Sequence, residues 1–266
     1  MVDLVKLQKE CKEISFNITK HLNHEKDKRG IMEIKMTKEQ LRNLALTFFN
    51  KDETKLEFNN TLLELFLHIK TLTNDVYLVG GCVRDIVLKK LPKDFDVVTD
   101  CDLEKLKVML LENGWSITDA GENFLVTIAS KHGEQFEIAL YRKDGTYTDG
   151  RRPDFVEIGD INSDSERRDL TINALYMCPF TKEILDPTKK GLSDIKNRLI
   201  RMNGRADDRI KEDKLRIMRV YRFSNQLTFK IEKRTLKACR KYFNDMYAQV
   251  SAERVKNEIE KMCTFE

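Results

Sequence analysis

The sequence lacks the features that assign a chain at once to a secreted or a membrane class. Its 6 cysteines are scattered, without a C-x-x-C pair or a short disulfide spacing, which is typical of a reduced, intracellular protein. No apolar run is long enough to cross a bilayer, and the N-terminal "MVDLVKLQKECKEISF" has acids among its bases and no signal-type apolar block. We therefore expect no membrane partner and a cytoplasmic location, with an organelle as the alternative if a targeting segment lies outside this sequence.

The sequence also lacks an excess of charge of one sign. The 266 residues include 48 Lys and Arg against 44 Asp and Glu, so the net charge of +4 gives no global positive field that would indicate nucleic acid. Any basic surface must therefore be local. Internal repeats and low-complexity tracts are also missing, and the apolar content is ample for a folded core in one large or two small domains.

Apolar patterning divides the chain into three parts. Residues 1–72 are predicted to be a helical N-terminal extension, in which residues 3–22 repeat apolar side chains at helical spacing. We expect this first helix to pack on its own domain, with a homo-oligomer or second-subunit contact as the alternative. Residues 73–180 alternate short strands and helices and are predicted to be an α+β head, and residues 181–266 are predicted to be a helical neck.

Individual elements follow from the same patterning. The sequence predicts a helix at "TKEQ", whose capping-box pattern opens it, and helices over residues 60–72, 82–89 and 103–112. Strands are expected at "VYLV", "FDVVT", "FLVTIAS" and "QFEIALYR", and residues 143–166 are expected to be a loop because they are rich in Gly, Pro and Asp. Later helices are expected at "RRDLTINALYM", "GLSDIKNRLIR", "EDKLRIMRVYRFSNQL" and "SAERVKNEIEKM".

The stretch "YLVGGCVRDIVLKKLPKDFDVVTD" carries the first chemical signal. Gly80 and Gly81 end a predicted strand and begin a helix, where a bare backbone and free N–H groups favour an anion. Arg84 lies in the first turn of that helix and can donate paired hydrogen bonds to phosphate oxygens. No G-K-[ST] follows and G-x-G-x-x-G is missing, so this is neither a Walker loop nor a dinucleotide fingerprint.

Two carboxylates follow in "KDFDVV". Asp94 and Asp96 are expected at i and i+2 of a strand, so their side chains project from one face, roughly 6.5 Å apart. Like charges held that close raise each other's pKa unless a cation joins them, and a pair of Mg²⁺ ions can do so. Glu137, with apolar Phe136 and Ile138 on the opposite face of its strand, is the candidate third acid. The alternatives are a solvated D-x-D and an ordinary outward-facing glutamate.

A second signal lies in "EDKLRIMRVYRF". Asp213 and Arg216 are three residues apart on a predicted helix, and Arg219 and Arg222 continue that side. A carboxylate beside a guanidinium offers an acceptor and a fork of donors, which suits the Watson–Crick edge of a base. The alternative is an exposed helix with salt bridges between successive turns.

Together these segments resemble the class II tRNA nucleotidyltransferase and bacterial poly(A) polymerase family over roughly residues 75–262. "GGCVRD" with "DFD" resembles the first family motif, "DSERRDLTINAL" the second, "EDKLRIMRVYRF" the nucleotide-selecting motif and "SAERVKNEI" the motif after it. "DPTKKGLSDIKNRLIR" is similar to the segment that joins head to neck. The resemblance implies a polymerase-β-like nucleotidyltransferase head followed by a helical neck that bears the base-selecting helix.

The resemblance also implies a role for each matched residue. Two Mg²⁺ would be held by Asp94 and Asp96 with help from Glu137, and the triphosphate would meet Gly80, Gly81 and Arg84. Ribose recognition would involve Arg168 and Asp169, the base of CTP or ATP would pair with Asp213 and Arg216, and Arg219 and Arg222 would support that pair or reach phosphate. The loop after Arg142 resembles the flexible loop of the family.

Members of this family build C-C-A on tRNA 3′ ends from CTP and ATP without a nucleic-acid template, and release pyrophosphate. The chain has no G-R-R-F-type signature after its D-x-D strand, which favours CCA addition over poly(A) synthesis, while enzymes that add only C-C or only A share these motifs. An RNA-binding module with a vestigial nucleotide site is the alternative from another class. Residues 1–72 match no part of the family, and its body and tail domains have no counterpart here. We therefore expect the tRNA contacts to come from the extension, a second subunit, another protein or the rest of a longer chain.

Overall fold

The computed structural model describes residues 58–119, 125–148, 150–151 and 153–263, and every structural statement below refers to these residues. The helices predicted at residues 3–22 and at "TKEQ", and with them the oligomer contact, lie outside the described residues.

A seven-stranded mixed sheet forms the centre of the described chain. The described strands, including four that lie outside this sheet, are β1 (Val76–Val79), β2 (Asp96–Thr99), β3 (Ser116–Asp119), β4 (Val126–Lys131), β5 (Glu134–Leu140), β6 (Arg142–Asp144), β7 (Val156–Ile158), β8 (Tyr176–Met177), β9 (Ile184–Leu185), β10 (Leu199–Ile200) and β11 (Lys230–Ile231). The order in the large sheet is β3-β4-β5-β2-β1-β8-β9, and neighbours are antiparallel except for β2 and β5, which are parallel. Two small sheets pair β6 with β7 and β10 with β11.

Helices cover the sheet and continue beyond it. They are α1 (Asn60–Leu72), α2 (Gly81–Val87), α3 (Leu103–Glu112), α4 (Ile161–Arg167), α5 (Gly191–Lys196), α6 (Ala206–Glu212), α7 (Arg216–Leu227), α8 (Lys233–Lys241), α9 (Phe243–Gln249) and α10 (Ala252–Cys263). Strands with helices packed on them give the α+β class that the sequence predicts, and helices dominate after β9. Among the described residues, no helix combines the length and the apolar composition that crossing a membrane requires.

The two faces of the sheet bury different side chains. Because side chains alternate along a strand, Leu78 and Val97 join the large core cluster, whereas Val79 and Val98 belong to a small second cluster with Tyr141 and Tyr176. Helices α1 and α3 contribute side chains to the large cluster, so they cover the first face.

Helix α1 begins where Asn59 accepts a hydrogen bond from the backbone N–H of Leu62 at 2.8 Å. Its Leu62, Leu65, Phe66 and Ile69 follow helical spacing and are 0% exposed. They belong to the same core cluster as the central strands. The core of the head therefore begins before residue 73, at a helix that the sequence assigns to the extension.

The prediction of a helix over "RRDLTINALYM" is wrong. Helix α4 ends at Arg167, a short 3-10 turn covers Thr171–Asn173, and strand β8 follows. Residues 170–177 are all buried, so the segment has no solvent face that would distinguish a helix by its periodicity. The hydroxyl of Thr171 also donates to Asp194 at 2.7 Å, a tertiary contact that spacing along the sequence does not reveal.

Three further predicted elements change shape in the structure. Residues 143–166, expected to be a loop, contain most of the β6–β7 hairpin and most of helix α4, which begins with a capping box at Asp160. The helix predicted over "GLSDIKNRLIR" ends at Lys196 and gives way to β10. The helix predicted over "EDKLRIMRVYRFSNQL" is interrupted between α6 and α7, and Asp213 lies in the interruption with extended backbone.

Candidate active site

Three carboxylates meet at the end of two parallel strands. Asp96 is the first residue of β2 and its register partner on β5 is Glu137, so both side chains project from the same face. Asp94 lies two residues before β2 rather than within the predicted strand. Asp94 and Glu137 are exposed and Asp96 is half-buried. Burial, together with the charges of Asp94 and Glu137, raises the pKa of Asp96 to about 6.

A bare turn lies beside these acids. Gly80 has a φ of 82° and a ψ of −127°, a conformation open to glycine alone. A Cβ placed on Gly80 would lie 3.4 Å from Nη1 of Arg168 and 3.8 Å from the backbone oxygen of Asn173. Gly81 then begins helix α2. Because Gly80 has no side chain, its backbone lies close to the guanidinium of Arg168 with no Cβ between them.

Arg84 lines the other side of the glycine turn. A Cβ on Gly81 would lie 3.7 Å from its Nη2. The guanidinium donates to Asp85 at 2.9 and 3.0 Å and to Oδ1 of Asn173 at 2.7 Å, and it is buried. The amide of Asn173 in turn donates to Asp169 at 3.2 Å. One asparagine therefore links the arginine of α2 to the carboxylate of the "RRD" segment.

Arg168 is fixed by a buried carboxylate. Asp164 is 0% exposed and accepts from Nε and Nη2 of Arg168 at 3.0 and 2.8 Å and from the hydroxyl of Tyr176 at 2.6 Å. The same carboxylate accepts from Arg167 at 2.9 Å. Burial alone would raise the pKa of Asp164, but Arg168 and Arg167 outweigh it and lower that pKa. These bonds leave Nη1 of Arg168 directed at Gly80, and its charge also acts on Asp96.

The neck holds the backbone of the same segment. Arg209 of α6 is buried and donates through Nη2 to the carbonyl oxygens of Arg167 and, at 3.2 Å, Arg168. Arg216 of α7 donates to the backbone oxygen of Arg209 at 2.8 Å and to Glu212 at 2.5 Å. The neck therefore fixes the segment that carries Arg168 and Asp169.

Asp169 and Arg219 form the ion pair that joins head to neck at the site. Nε of Arg219 donates to Oδ2 of Asp169 at 2.6 Å. Burial alone would raise the pKa of Asp169, but the charge and the hydrogen bond of Arg219 outweigh it and hold that pKa well below its usual range. Asp169 is therefore charged at neutral pH and its orientation is set by the neck.

The predicted base-reading pair is not joined in the structure. Asp213 accepts from Nη2 of Arg254, on α10, at 2.8 Å. Arg216 is buried and its guanidinium bonds to Glu212 and to backbone oxygens of Arg209 and Arg167. The expectation that Asp213 and Arg216 share one helix is wrong because the chain breaks between α6 and α7. The guanidinium that meets Asp213 comes from the last helix instead.

Arg222 lies behind Arg219 in a buried network. It donates to Glu258 at 2.6 Å and to Gln226 at 3.1 Å, and both it and Glu258 are buried. Its guanidinium stacks on the ring of Phe223, 4.0 Å from the centroid. The guanidinium groups of Arg84 and Arg219 lie 5.0 and 5.6 Å from the same centroid. Phe223 therefore joins three cations, one from the head and two from the neck.

The acids have the chemistry of a magnesium site. All three candidate ligands supply oxygen, and after burial the charges of Asp94 and Glu137 are the next causes that raise the pKa of Asp96. Within the described ranges, no three His, Cys, Asp or Glu side chains enclose an ion by themselves. Mg²⁺ usually takes one or two carboxylates and completes its coordination with water and substrate phosphates. Asp94 and Asp96 therefore fit an ion that arrives with a nucleotide.

Sequence reasoning missed the residues that position the site. Asp164, Asn173, Arg209, Arg254 and Glu258 each bond to a predicted site residue or to its backbone. Asp164 lies four residues before Arg168 and Asn173 four residues after Asp169, and these two i,i+4 spacings were the local signals that could have identified such partners. The contacts of Arg209, Arg254 and Glu258, and the bond of Asn173 to Arg84, span long sequence separations.

Comparisons with known proteins agree with one another. The model of the poly(A) polymerase head domain matches residues 76–201. The CCA-adding enzyme of Lactococcus lactis subsp. cremoris is 36% identical over 196 residues, 71% of this chain and 46% of the relative. The crystal structure of the Bacillus stearothermophilus CCA-adding enzyme in complex with CTP is 30% identical, with a TM-score of 0.65 over 74% of this chain and 46% of that one.

A third similar protein is a tRNA nucleotidyltransferase whose crystal structure holds a primer tRNA and an incoming ATP analog. It is 28% identical, with a TM-score of 0.59, and the match covers 70% of this chain and 52% of that one. The chain spans about half the length of these relatives.

Proposed function

Through residues 76–201 the chain belongs to the family of poly(A) polymerase head domains and CCA-adding enzymes, and on that premise we propose that it is a template-independent RNA nucleotidyltransferase. It adds C and A residues to tRNA 3′ ends from CTP and ATP and releases pyrophosphate. The family membership and the polymerase-β-like nucleotidyltransferase head are confirmed by the matches to CCA-adding enzymes. The activity, the substrates and the tRNA partner are proposals.

The observation that carries the proposal is the arrangement of acids beside the glycine turn. Asp96 and Glu137 are register partners, and the charge of Asp94 acts on Asp96. Nη1 of Arg168 lies over Gly80, and the charge of Arg168 acts on Asp96. Carboxylates for a cation therefore stand next to an open backbone and a guanidinium for phosphate.

In this proposal the side chains of the site divide the binding of metal, phosphate, ribose and base among them. Asp94 and Asp96, aided by Glu137, hold Mg²⁺, which when bound lowers the pKa of the RNA 3′-hydroxyl and neutralises the leaving pyrophosphate. The backbone at Gly80 and Gly81 receives the triphosphate. Arg84 and Arg168 donate hydrogen bonds to phosphate oxygens, and Arg168 and Asp169 contact the ribose. Asp213 and Arg216 bind the base, and Arg219 and Arg222 support them.

Attack is in line on the α-phosphorus of the bound nucleotide. The RNA 3′-oxygen forms the new phosphodiester bond as the bond to the β-phosphate breaks, and the hydroxyl proton leaves to solvent or a carboxylate. The protein contributes orientation and charge neutralisation rather than a covalent intermediate. Asp169, ionised and held by Arg219, is suited to accept a hydrogen bond from a ribose hydroxyl.

The test is extension of a tRNA transcript that ends at the discriminator base. The full chain is incubated with Mg²⁺ and labelled CTP, ATP or both, and products are resolved at single-nucleotide resolution. Addition of C, C and A in order supports the proposal. Two residues, one A or a long tail would instead indicate C-C addition, A addition or poly(A) synthesis, and RNA binding without extension would indicate a vestigial module. A cytoplasmic location remains a prediction from the sequence.

A further inference from the structure

Helix α8 carries a one-sided array of cations. At 3.6 residues per turn, its basic side chains fall within an arc of about 120°, and all of them are exposed. Thr235, Ala238 and Cys239 on the opposite side are buried. The array, here called the basic face, consists of Lys233, Arg234, Lys237, Arg240 and Lys241.

Acidic side chains do not neutralise this surface. Lys241 pairs with Asp207 at 2.8 Å, whereas the other four members form no ion pair within the described part of the chain. The adjacent Glu232 is engaged elsewhere, because it caps α8 by accepting from the backbone N–H of Thr235 at 2.7 Å and lies 3.7 Å from Arg201. Lys230 is exposed just before the helix. The basic face is thus a local positive surface on a chain whose total charge is nearly balanced.

Lysines on two other helices pair with acidic neighbours. On α3, Lys105 pairs with Asp102 at 3.2 Å and Lys107 with Glu104 at 2.8 Å. On α10, Lys256 pairs with Glu260 at 3.6 Å. The solvated faces of α3 and α10 therefore intersperse both signs, and α8 departs from that pattern.

Hydrogen bonds at both ends of α8 hold the basic face against the rest of the neck. The hydroxyl of Thr235 accepts from the backbone N–H of Met202 at 3.2 Å, and the backbone N–H of Glu232 donates to Ile200 at 2.9 Å. The hydroxyl of Tyr242, after the last turn, donates to Asp207 of α6 at 3.2 Å. Helix α6 leads directly to Asp213, so the face is fixed on the scaffold that carries the candidate base-reading residue.

We propose that the basic face binds the sugar-phosphate backbone of the RNA whose 3′ end is extended, an inference that rests on the proposed function. Nine helical residues span roughly 13 Å, and duplex nucleic acid presents about one phosphate charge per 1.7 Å of axis. A row of Lys and Arg side chains over that length, on a helix that is itself firmly held, matches a backbone rather than a single anion. Such contacts position RNA without reading its sequence. No candidate active-site residue lies on α8.

The test compares two double variants of the full chain that change net charge equally. Lys233→Gln with Lys237→Gln removes two members of the basic face, and Lys105→Gln with Lys256→Gln removes two exposed lysines elsewhere. The probe is a tRNA transcript that ends at the discriminator base, and its dissociation constant is measured by filter binding from 50 to 300 mM KCl. Circular dichroism melting confirms that each variant folds.

The basic-face variant is expected to bind on the order of tenfold more weakly at 100 mM KCl, and the slope of log K against log salt is expected to fall by about 2. The control variant keeps the slope of the wild type. In extension assays the basic-face variant shows a raised KM for the transcript, whereas the KM for CTP and the kcat at saturating RNA are unchanged.

The outcomes separate this inference from the proposed function. Extension by the wild type with equal slopes in all three proteins overturns the basic face and leaves the nucleotidyltransferase intact. RNA binding that weakens only in the basic-face variant, without any extension, supports the surface and contradicts the proposed function. Binding of anionic lipid vesicles but not of the transcript, or equal loss in both variants, overturns RNA as the specific partner of this face.

Discussion

Asp96 and Glu137 lie directly opposite each other on the parallel strands β2 and β5, although they are far apart in the sequence. This register brings two carboxylates together in the free protein, with the charge of Asp94 also acting on Asp96. Burial, and after it the charges of Asp94 and Glu137, raise the pKa of Asp96 to about 6, so the ionised form of Asp96 is disfavoured in the folded protein at neutral pH. We therefore expect a bound metal–nucleotide complex to relieve an electrostatic cost at this site.

Removing one of these charges should stabilise the metal-free protein. We expect Asp96→Asn to raise Tm in EDTA at pH 8 by about 2–4 °C, the shift that corresponds to about 1 kcal/mol in a chain of this size. Mg²⁺ with a non-hydrolysable CTP analogue should raise the Tm of the wild type and leave that of the variant unchanged. An exposed carboxylate on α9, changed as Asp245→Asn, is the matched control. A lower Tm for Asp96→Asn in EDTA would contradict the repulsion.

The ion pair of Asp169 and Arg219 should give a pH-dependent cost when it is broken. Arg219→Met leaves a buried carboxylate without its cation, which costs about 3 kcal/mol where Asp169 is ionised. In the wild type the pKa of Asp169 is lowered, so the stability from the pair is present above the unfolded pKa and is lost as pH falls through the folded one. In the variant, burial without the cation raises the pKa of Asp169, so protonation relieves the penalty at lower pH.

Urea denaturation at pH 8 and pH 5 measures this difference. The loss of unfolding free energy caused by Arg219→Met should be smaller at pH 5 than at pH 8. An equal loss at both values would show that the variant acts through packing alone.

Phe223 should support nucleotide binding, because its ring contacts Arg84 beside the glycine turn as well as Arg219 and Arg222 of the neck. Phe223→Leu removes a ring that three guanidinium groups share, at roughly 0.5–1 kcal/mol for each contact. We expect kcat/KM for CTP to fall about tenfold, mostly through KM, because Arg84 and Arg219 lose their common support. Phe229, equally a buried neck phenylalanine, is the control because no guanidinium stacks on it in the described part of the chain. Similar kinetic losses in Phe229→Leu would show that loss of core packing, rather than loss of the guanidinium contacts, lowers kcat/KM.

Arg254 should influence which nucleotide is chosen. Its ion pair with Asp213 orients a carboxylate that the proposed function places at the base, where it can accept a hydrogen bond from the amino group of cytosine. We expect Arg254→Gln to lower the ratio of CTP to UTP incorporation by roughly tenfold, since about 1–2 kcal/mol of discrimination depends on that orientation. Arg216→Ala should blur selection among CTP, ATP, UTP and GTP and also lower Tm, because Arg216 holds the backbone of Arg209. Unchanged nucleotide selectivity in both variants would show that Arg254 and Arg216 have only a structural role.

Local patterning predicted the elements with one apolar face. The helices expected over residues 60–72 and 103–112 are observed at those bounds, because apolar side chains recur at helical spacing in both and each begins at a side-chain N-cap, Asn59 or Asp102. The outward direction of Glu137 between Phe136 and Ile138 is confirmed for the same reason, since strand alternation is a local property. In contrast, "RRDLTINALYM" failed because its second half is buried on every side.

The partners of the site residues could not be read from the sequence. The bond from Arg254 to Asp213 joins the last helix to the break before α7, and the bond from Arg209 joins α6 to the end of α4. Neither follows from spacing along the chain, since tertiary packing decides which charges meet. The residue types of the site could be predicted from the sequence, whereas the pairing of Asp213 with Arg254 rather than Arg216 required the structure.

The central claim is that Asp94 and Asp96 hold the metal for nucleotidyl transfer, and a single-turnover assay tests it most directly. Excess enzyme, wild type or variant, is mixed with labelled CTP, Mg²⁺ and a tRNA transcript that ends at the discriminator base. We predict that Asp94→Ala and Asp96→Ala each lower the incorporation rate by a factor of about 10³ or more, while Asp245→Ala matches the wild type and all variants remain folded. Incorporation near the wild-type rate by either Asp94→Ala or Asp96→Ala would contradict the account.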